Sequence, residues 1–245
     1  MSRTITVMKR ELSAYFQTPV AYVFMVVFLL STGAFTFYLG DYFTRGVADL
    51  QPFFMWHPWL YLFLVPAISM RLWAEERRSG TIELIMTLPV RTRELVVGKF
   101  LAAWIVIILT LCGTAPLWIT VNYLGEPDNG VILASYIGST LMAGAYLSIG
   151  SAVSAATSNQ IIAFVVSAAI CMVFAMMGFS LVVNFLEGWM PQFMITSLAS
   201  LSVLTHFQDI TKGILPIKSI IYFATIILFW LFATHHIVAY VKGAR

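Results

Sequence analysis

Residues 75–99 read EERRSGTIELIMTLPVRTRELVVGK, a charged island between two long apolar runs. It carries nine of the 25 charged residues in a chain of 245: Glu75, Glu76, Arg77, Arg78, Glu83, Arg91, Arg93, Glu94 and Lys99. The chain as a whole is 60% hydrophobic and 10% charged. Charge at that density is too costly to place in hydrocarbon. The island is therefore expected in water at one membrane face, with structure enough to be met by another molecule.

Outward from the island the chain is almost entirely apolar. Soluble domains average about 25% charged residues, and a mean hydropathy of +0.89 excludes one here. A helix crosses a bilayer core in about 20 apolar residues, each rising about 1.5 Å. Six runs meet that requirement: 20–39, 53–73, 96–124, 131–156, 161–186 and 217–241. Their short gaps predict one all-α membrane domain over 1–245. Lys and Arg placement sets its orientation. With the N-terminus cytoplasmic, eleven of the 14 Lys and Arg face inward, leaving Arg45, Lys212 and Lys218 outside. Both termini are predicted to be cytoplasmic. The first run lacks a small-residue cleavage site and reads as a retained span. Cys112 and Cys171 both fall in predicted spans and read as small buried hydrophobes, not a disulfide framework.

Residues 3–17 are too polar to span. At 100° per residue Ile5, Met8, Leu12, Tyr15 and Phe16 share one arc, with Arg3 and Arg10 opposite. The pattern predicts an amphipathic elbow helix with its apolar face in lipid and with Lys9, Arg10 and Glu11 at the inner interface. The second run contains Pro58 and Pro66, which permit a kink. The fourth repeats small residues every four positions, Thr140, Gly144, Ser148, Ala152 and Ala156, a face that lets membrane helices approach closely. Residues 187–216 are too long for a turn and too apolar for a solvated loop. They predict one or two re-entrant helices dipping into the outer leaflet, marked by Leu201, Phe207, Asp209 and Gly213.

The island divides further. Glu75, Glu76, Arg77 and Arg78 extend the second span into water, and Ser79-Gly80 breaks the helix. Thr81 is placed to cap a new short helix with Glu83 near its positive end. Ile82, Leu84, Ile85, Met86 and Leu88 give that helix an apolar surface until Pro89 ends it. Arg91 and Arg93 follow, and Thr92 is placed to cap the third span. A solvated loop is the plainer alternative, but it would not require five large apolar side chains in seven positions.

The run AEERRSGTIELIMTLPVRTRELVVGKFLAA, residues 74–103, resembles the signature of ABC-2 type transporter permeases. Residues 205–223, THFQDITKGILPIKSIIYF, look like the gliding-motility-type branch of that family, with nitrous-oxide-reductase maturation permeases as the related alternative. The resemblance covers essentially the whole chain. It implies that the island forms a coupling helix docking on an ATP-binding subunit through Arg77, Arg78, Gly80, Thr81, Ile82, Glu83, Ile85, Met86 and Pro89. It implies a homodimer or a pairing with a paralogue, two separate ATPase subunits holding ATP and Mg²⁺, and the bacterial inner membrane. An accessory protein on the outer side and membrane lipids complete the implied partners; nucleic acid is not among them.

The absences agree. No G-x-x-x-x-G-K-[ST] occurs, since Gly98-Lys99 lacks the preceding glycine, so ATP must be handled elsewhere. His57, His206, His235 and His236 lie near span ends or in outer segments, away from any nucleophile that an intramembrane hydrolase would need. Met172, Met176 and Met177 suit a soft metal ion but are ordinary filling for apolar helices. No cofactor, metal or catalytic residue is expected on this chain. The expected function is export or extrusion of an amphiphilic or otherwise unidentified substrate by an ATP-driven permease. The alternative is an ATP-driven module that transmits force or signal and moves no solute. A secondary transporter fits less well, because broken inverted repeats and buried charges are not evident.

Overall fold

The computed structural model describes residues 3–83, 90–187 and 189–243, and every regular element among them is helical. In order these are α1 (Arg3–Gln17), α2 (Pro19–Ala34, continued by a π-helical turn, Phe35–Leu39), α3 (Gln51–Met55), α4 (His57–Ser69), α5 (Arg71–Ser79) and α6 (Thr92–Cys112). Then come α7 (Ala115–Leu124), α8 (Asn129–Ala156), α9 (Gln160–Met176), α10 (Ser180–Glu187), α11 (Gln192–Ala199), α12 (Val203–Thr211) and α13 (Ile217–Gly243).

The expectation of six spanning helices is not met. Among the described residues four stretches are long and apolar enough to cross a membrane: Pro19–Leu39, Thr92–Leu124, Asn129–Ala156 and Ile217–Tyr240. The other two expected spans are broken, and the sequence supplies the reasons. Pro52 and Pro58 stand at the starts of α3 and α4, and Pro66 lies inside α4. Each lacks the N–H that a continuous helix needs. The chain therefore returns towards α1 as three short helices, of which α4, with 13 residues, is the longest. At about 1.5 Å per residue that is about 20 Å, short of the roughly 30 Å hydrocarbon core. The fifth expected span stops at Met176, one residue after the Ala175 carbonyl accepts the Ser202 hydroxyl of α12 at 3.1 Å. Gly178 makes that crossing possible, since a Cβ there would lie 2.3 Å from Thr205 Oγ1 and 2.7 Å from Ser202 Cβ.

Within residues 189–216, expected to dip into the outer leaflet, the structure has α11 and α12. Val203, His206, Phe207 and Ile210 of α12 are buried, and the helix docks on α8, α9 and α13. Ile210 sits against Gly138 of α8, whose absent side chain leaves the room.

The core is organised around α8, which has 18 of its 28 residues buried and contacts α4, α5, α6, α9, α12 and α13. Small residues cover almost its whole circumference, so neighbours reach its backbone from several sides. Gly144 faces Trp104 and Ile227, and Trp104 Nε1 donates to the Thr140 carbonyl at 3.0 Å. Ser148 and Ala152 are buried inside the chain, as is Gly150, which meets Ser69 of α4.

Gly150 is the tightest of these crossings: a Cβ there would lie 1.9 Å from Ser69 Oγ and 2.6 Å from Ser69 Cβ. Gly150→Val should separate α4 from α8 and lower stability by about 1–3 kcal/mol, read as a drop in melting temperature in detergent. An unchanged melting temperature would refute the crossing.

Candidate functional site

The charged residues do not all stand in water. Lys99, one residue after Gly98 on α6, is 3% exposed. Its ammonium bonds Glu76 Oε1 of α5 at 2.6 Å and Glu11 Oε2 of α1 at 3.0 Å. Arg10 Nη2 closes the set on Glu11 Oε1 at 2.6 Å, so two cations meet two carboxylates. The ammonium also lies 5.4 Å from the centroid of the Trp73 ring, a favourable cation–π position. Gly98 allows α1 to come this close, because a Cβ there would lie 2.7 Å from Val7 Cγ1 and 3.1 Å from the Thr4 carbonyl oxygen.

The two carboxylates respond differently. Burial alone raises Glu11, but the Lys99 and Arg10 charges outweigh it and leave its carboxyl below the ordinary value. Burial dominates at Glu76 and holds its carboxyl above the ordinary value despite Lys99. Its second oxygen, Oε2, is buried without a partner.

This contact gives α1 a protein-facing side as well as an exposed apolar one. Val7 is 8% exposed and packs with Glu11 towards α6, whereas Ile5, assigned to the apolar arc, remains 40% exposed. One flank of the amphipathic helix is thus a protein contact. Lys9 and Arg10 stay exposed; Glu11 is taken into the ion cluster.

A second set of bonds ties α5 to α8. The break at Met70 leaves N–H groups at the start of α5 without an intrahelical partner. Ser154 of α8 supplies the acceptor: its Oγ receives Trp73 N and Ala74 N, each at 3.1 Å, and donates to the Met70 carbonyl at 2.9 Å. Trp73 Nε1 donates to Ser151 Oγ at 3.2 Å. Arg77 Nη1 donates to the Ala155 carbonyl at the end of α8. Arg77 is thereby engaged within the chain instead of being held out to a partner.

Beyond α5 the turn is as the residues suggested. Gly80 takes φ 71° in the left-handed region, and residues 81–83 are helical. The Thr81 hydroxyl meets Ser79 Oγ at 2.9 Å. Arg78, Thr81 and Glu83 are exposed. Ile82, expected to fill a groove on another protein, is 6% exposed and joins this chain's own core. Ile85, Met86 and Pro89, with the rest of the expected helix, lie outside the described residues. At the start of α6, Arg91 occupies the cap position expected for Thr92, and its backbone N–H donates to Glu94 Oε2 at 2.9 Å.

At the opposite end the residues singled out are dispersed. Phe207 is buried, Leu201 is 45% exposed, and Asp209 pairs with Lys212 at 3.0 Å. Gly213, at φ 89°, turns the chain out of α12 beside Val131. Two histidines expected near span ends are buried in polar contacts. His57 Nδ1 lies 2.8 Å from Ser139 Oγ, which also meets Tyr61 OH at 2.9 Å. A base and a hydroxyl therefore do meet inside the bundle, but both residues are 0% exposed and the rings of Phe28, Phe53 and Phe54 surround the imidazole. The contact joins α4 to α8. His206 stacks on Tyr222 at 4.0 Å, accepts from Ser219 through Nδ1 at 2.9 Å and donates to the Ser200 carbonyl through Nε2 at 2.9 Å.

The candidate site is a hub in which α1, α5, α6 and α8 meet at one end of the bundle. It is tied by the Lys99 ion cluster and by Ser151 and Ser154 of α8, and Arg78, Thr81 and Glu83 are exposed on it. A family model described as ABC-2 family transporter protein matches residues 60–241, which include the whole of α5, α6 and α8. Comparison with curated proteins finds no match.

Removing Lys99 leaves Glu76 without a cation in a largely buried site and Glu11 with Arg10 alone. Lys99→Met should cost about 3–5 kcal/mol and release α1, read as a lower melting temperature and faster proteolysis within residues 3–17. Wild-type values for both would overturn the keystone role of Lys99.

Proposed function

Because the chain belongs to the ABC-2 transporter family, we propose that it works as one half of a dimeric, ATP-driven exporter whose two ATPase subunits dock at the α5 turn. Membership makes it a multi-pass, non-catalytic membrane permease of a transport system. The direction, the partners and the docking site are the proposal.

The observation that carries it is the coupling of the exposed turn to the core. Arg78, Thr81 and Glu83 stand on a short helical lever that Ser154, Arg77 and Lys99 tie to α8, α6 and α1. α8 in turn packs against α4, α5, α6, α9, α12 and α13. A push on the turn therefore reaches the middle of the bundle through rigid contacts. Polar groups at the rim and an apolar segment between them are the usual division of a protein interface. In this reading residues 84–89 supply the apolar part.

The orientation follows from charge. Lys9, Arg10, Arg71, Arg77, Arg78, Arg91, Arg93 and Lys99 gather around α1, α5 and the start of α6, a positive bias that supports the reading of that end as cytoplasmic. A second copy of the chain completes the pathway. The cargo is an amphiphile: a cavity of about 390 Å³ between α6, α7 and α8 is lined by Trp104, Trp118, Tyr136 and Leu141 and offers almost no charge. The gliding-motility-type branch is the assignment we favour, on the resemblance of residues 205–223.

Two measurements test this. In a complex purified with its ATPase, Arg78→Glu combined with Glu83→Arg should weaken association at least about tenfold, or about 1.4 kcal/mol, and reduce ATP hydrolysis in proportion. Unaltered association would sink the docking site. With native cysteines replaced, Asn129→Cys should label from outside intact cells and Ser79→Cys only after permeabilisation; the reverse pattern would invert the orientation.

A further inference from the structure

Two cavities meet at the elbow between α1 and α2. One, of about 340 Å³, is an apolar groove between α2 and α4, lined by Val20, Val23, Val27, Leu64, Ala67 and Ile68 among others. The other, of about 250 Å³, is polar and lies beneath α1, where Glu11, Tyr15, Glu75, Glu76 and Lys99 line it. Val20 and Arg71 line both, so the groove and the polar pocket are continuous, with the Arg71 guanidinium at the junction.

The dimensions suit a lipid. The α2 residues along the groove run from Pro19 to Val27. Eight steps of about 1.5 Å make about 12 Å, close to the roughly 15 Å that one leaflet contributes to a hydrocarbon core of about 30 Å. Val23 is 58% exposed and Val27 40%, so the groove is open along its side to the surrounding chains.

The charges at the mouth select the headgroup. Arg71 makes no ion pair or hydrogen bond with another described side chain, and neither does Glu75. The Lys99 and Arg10 cations are balanced by Glu11 and Glu76. The free valence of the pocket is therefore one guanidinium and one carboxylate, with the buried, unpartnered Glu76 Oε2 beside them. A phosphate fits the planar fork of Arg71. An oxygen buried without a partner needs a hydrogen-bond donor. A primary ammonium supplies N–H groups; a quaternary one has none. An anionic headgroup without an amine offers the carboxylates at most neutral hydroxyl donors, weaker than an ammonium.

We propose that the α1–α2 elbow is a binding site for one aminophospholipid of the adjoining leaflet, its chain in the α2–α4 groove, its phosphate on Arg71 and its ammonium on Glu75 and Glu76. The bound lipid closes the gap between α1 and α4 on the lipid side of the ion cluster, so it is a structural partner of the hub and not cargo. The site does not depend on the ATPase contact, and its test reads lipid alone.

The experiment is native mass spectrometry of the full-length protein released from bilayers made of equal parts phosphatidylethanolamine, phosphatidylglycerol and phosphatidylcholine. Wild type should retain one phosphatidylethanolamine per chain, enriched about tenfold over the other two, a preference of about 1.4 kcal/mol. Glu75→Gln should abolish the preference, and Arg71→Ala should lose phospholipid of every class. Val23→Trp blocks the groove from an exposed position without touching the charges, and it should lose the lipid as well. Should Arg71→Ala fail to fold, Val23→Trp and Glu75→Gln decide the matter alone. Equal retention of the three lipids by wild type, or retention by Val23→Trp, would overturn the proposal. So would displacement by millimolar inorganic phosphate, which would mark a free-phosphate site.

Discussion

A lysine ammonium placed inside a membrane protein must find anions, and this requirement organises one end of the molecule. Lys99 is drawn into α6 with apolar neighbours on the same helix, among them Val96, Phe100 and Ala103. It becomes tolerable only because Glu76 and Glu11 arrive from two other helices and Trp73 lies against it. Burying such a set gains little over an apolar core, since desolvation offsets the Coulomb term. What it confers is register. Three helices are held at positions where no other carboxylate would reach, and α1 cannot slide along α6 without uncovering a charge.

Small residues on α8 do the complementary work. Gly138, Gly144 and Gly150 admit Ile210, Trp104 with Ile227, and Ser69, so four different helices approach one backbone. Close approach also lets single hydroxyls bridge helix breaks. Ser154 satisfies two N–H groups and one carbonyl at the α4–α5 break, and Ser202 satisfies the Ala175 carbonyl at the end of α9 and the Thr205 N–H at the start of α12. The interruptions that shorten the second and fifth expected spans are therefore not loose points. Each is closed by a serine from a neighbouring helix, and the hub inherits its rigidity from that closure.

Much of the fold was legible before any tertiary contact was known. The apolar runs marked α2, α6 with α7, α8 and α13, because a helix in lipid must be long and must satisfy its own backbone. Gly80 was readable as a reversal, and the small-residue face of α8 as a packing face. The helix count was not, because Pro66 and the Met176–Gly178 region are locally compatible with a kinked span or a broken one. The choice between them depends on whether a neighbour caps the freed groups. The site was read only in part. Arg77 and Ile82 looked like outward contacts, yet one bonds the end of α8 and the other enters the core. Glu11, Glu76 and Lys99 are separated by more than twenty residues at each step, and no periodicity links them.

By itself the sequence determined that this is a helical membrane protein, that its positive charge gathers at one end, and that an island without a phosphate-binding loop interrupts the apolar runs. These are properties of composition and spacing, and the cost of charge in hydrocarbon enforces them locally. Only the tertiary structure decided which island charges face water and which are buried, which helices are broken, and which face of α1 meets protein. Those outcomes depend on pairings between residues distant in the chain. A carboxylate at Glu76 is exposed or locked according to whether a lysine 23 positions later is carried back to it.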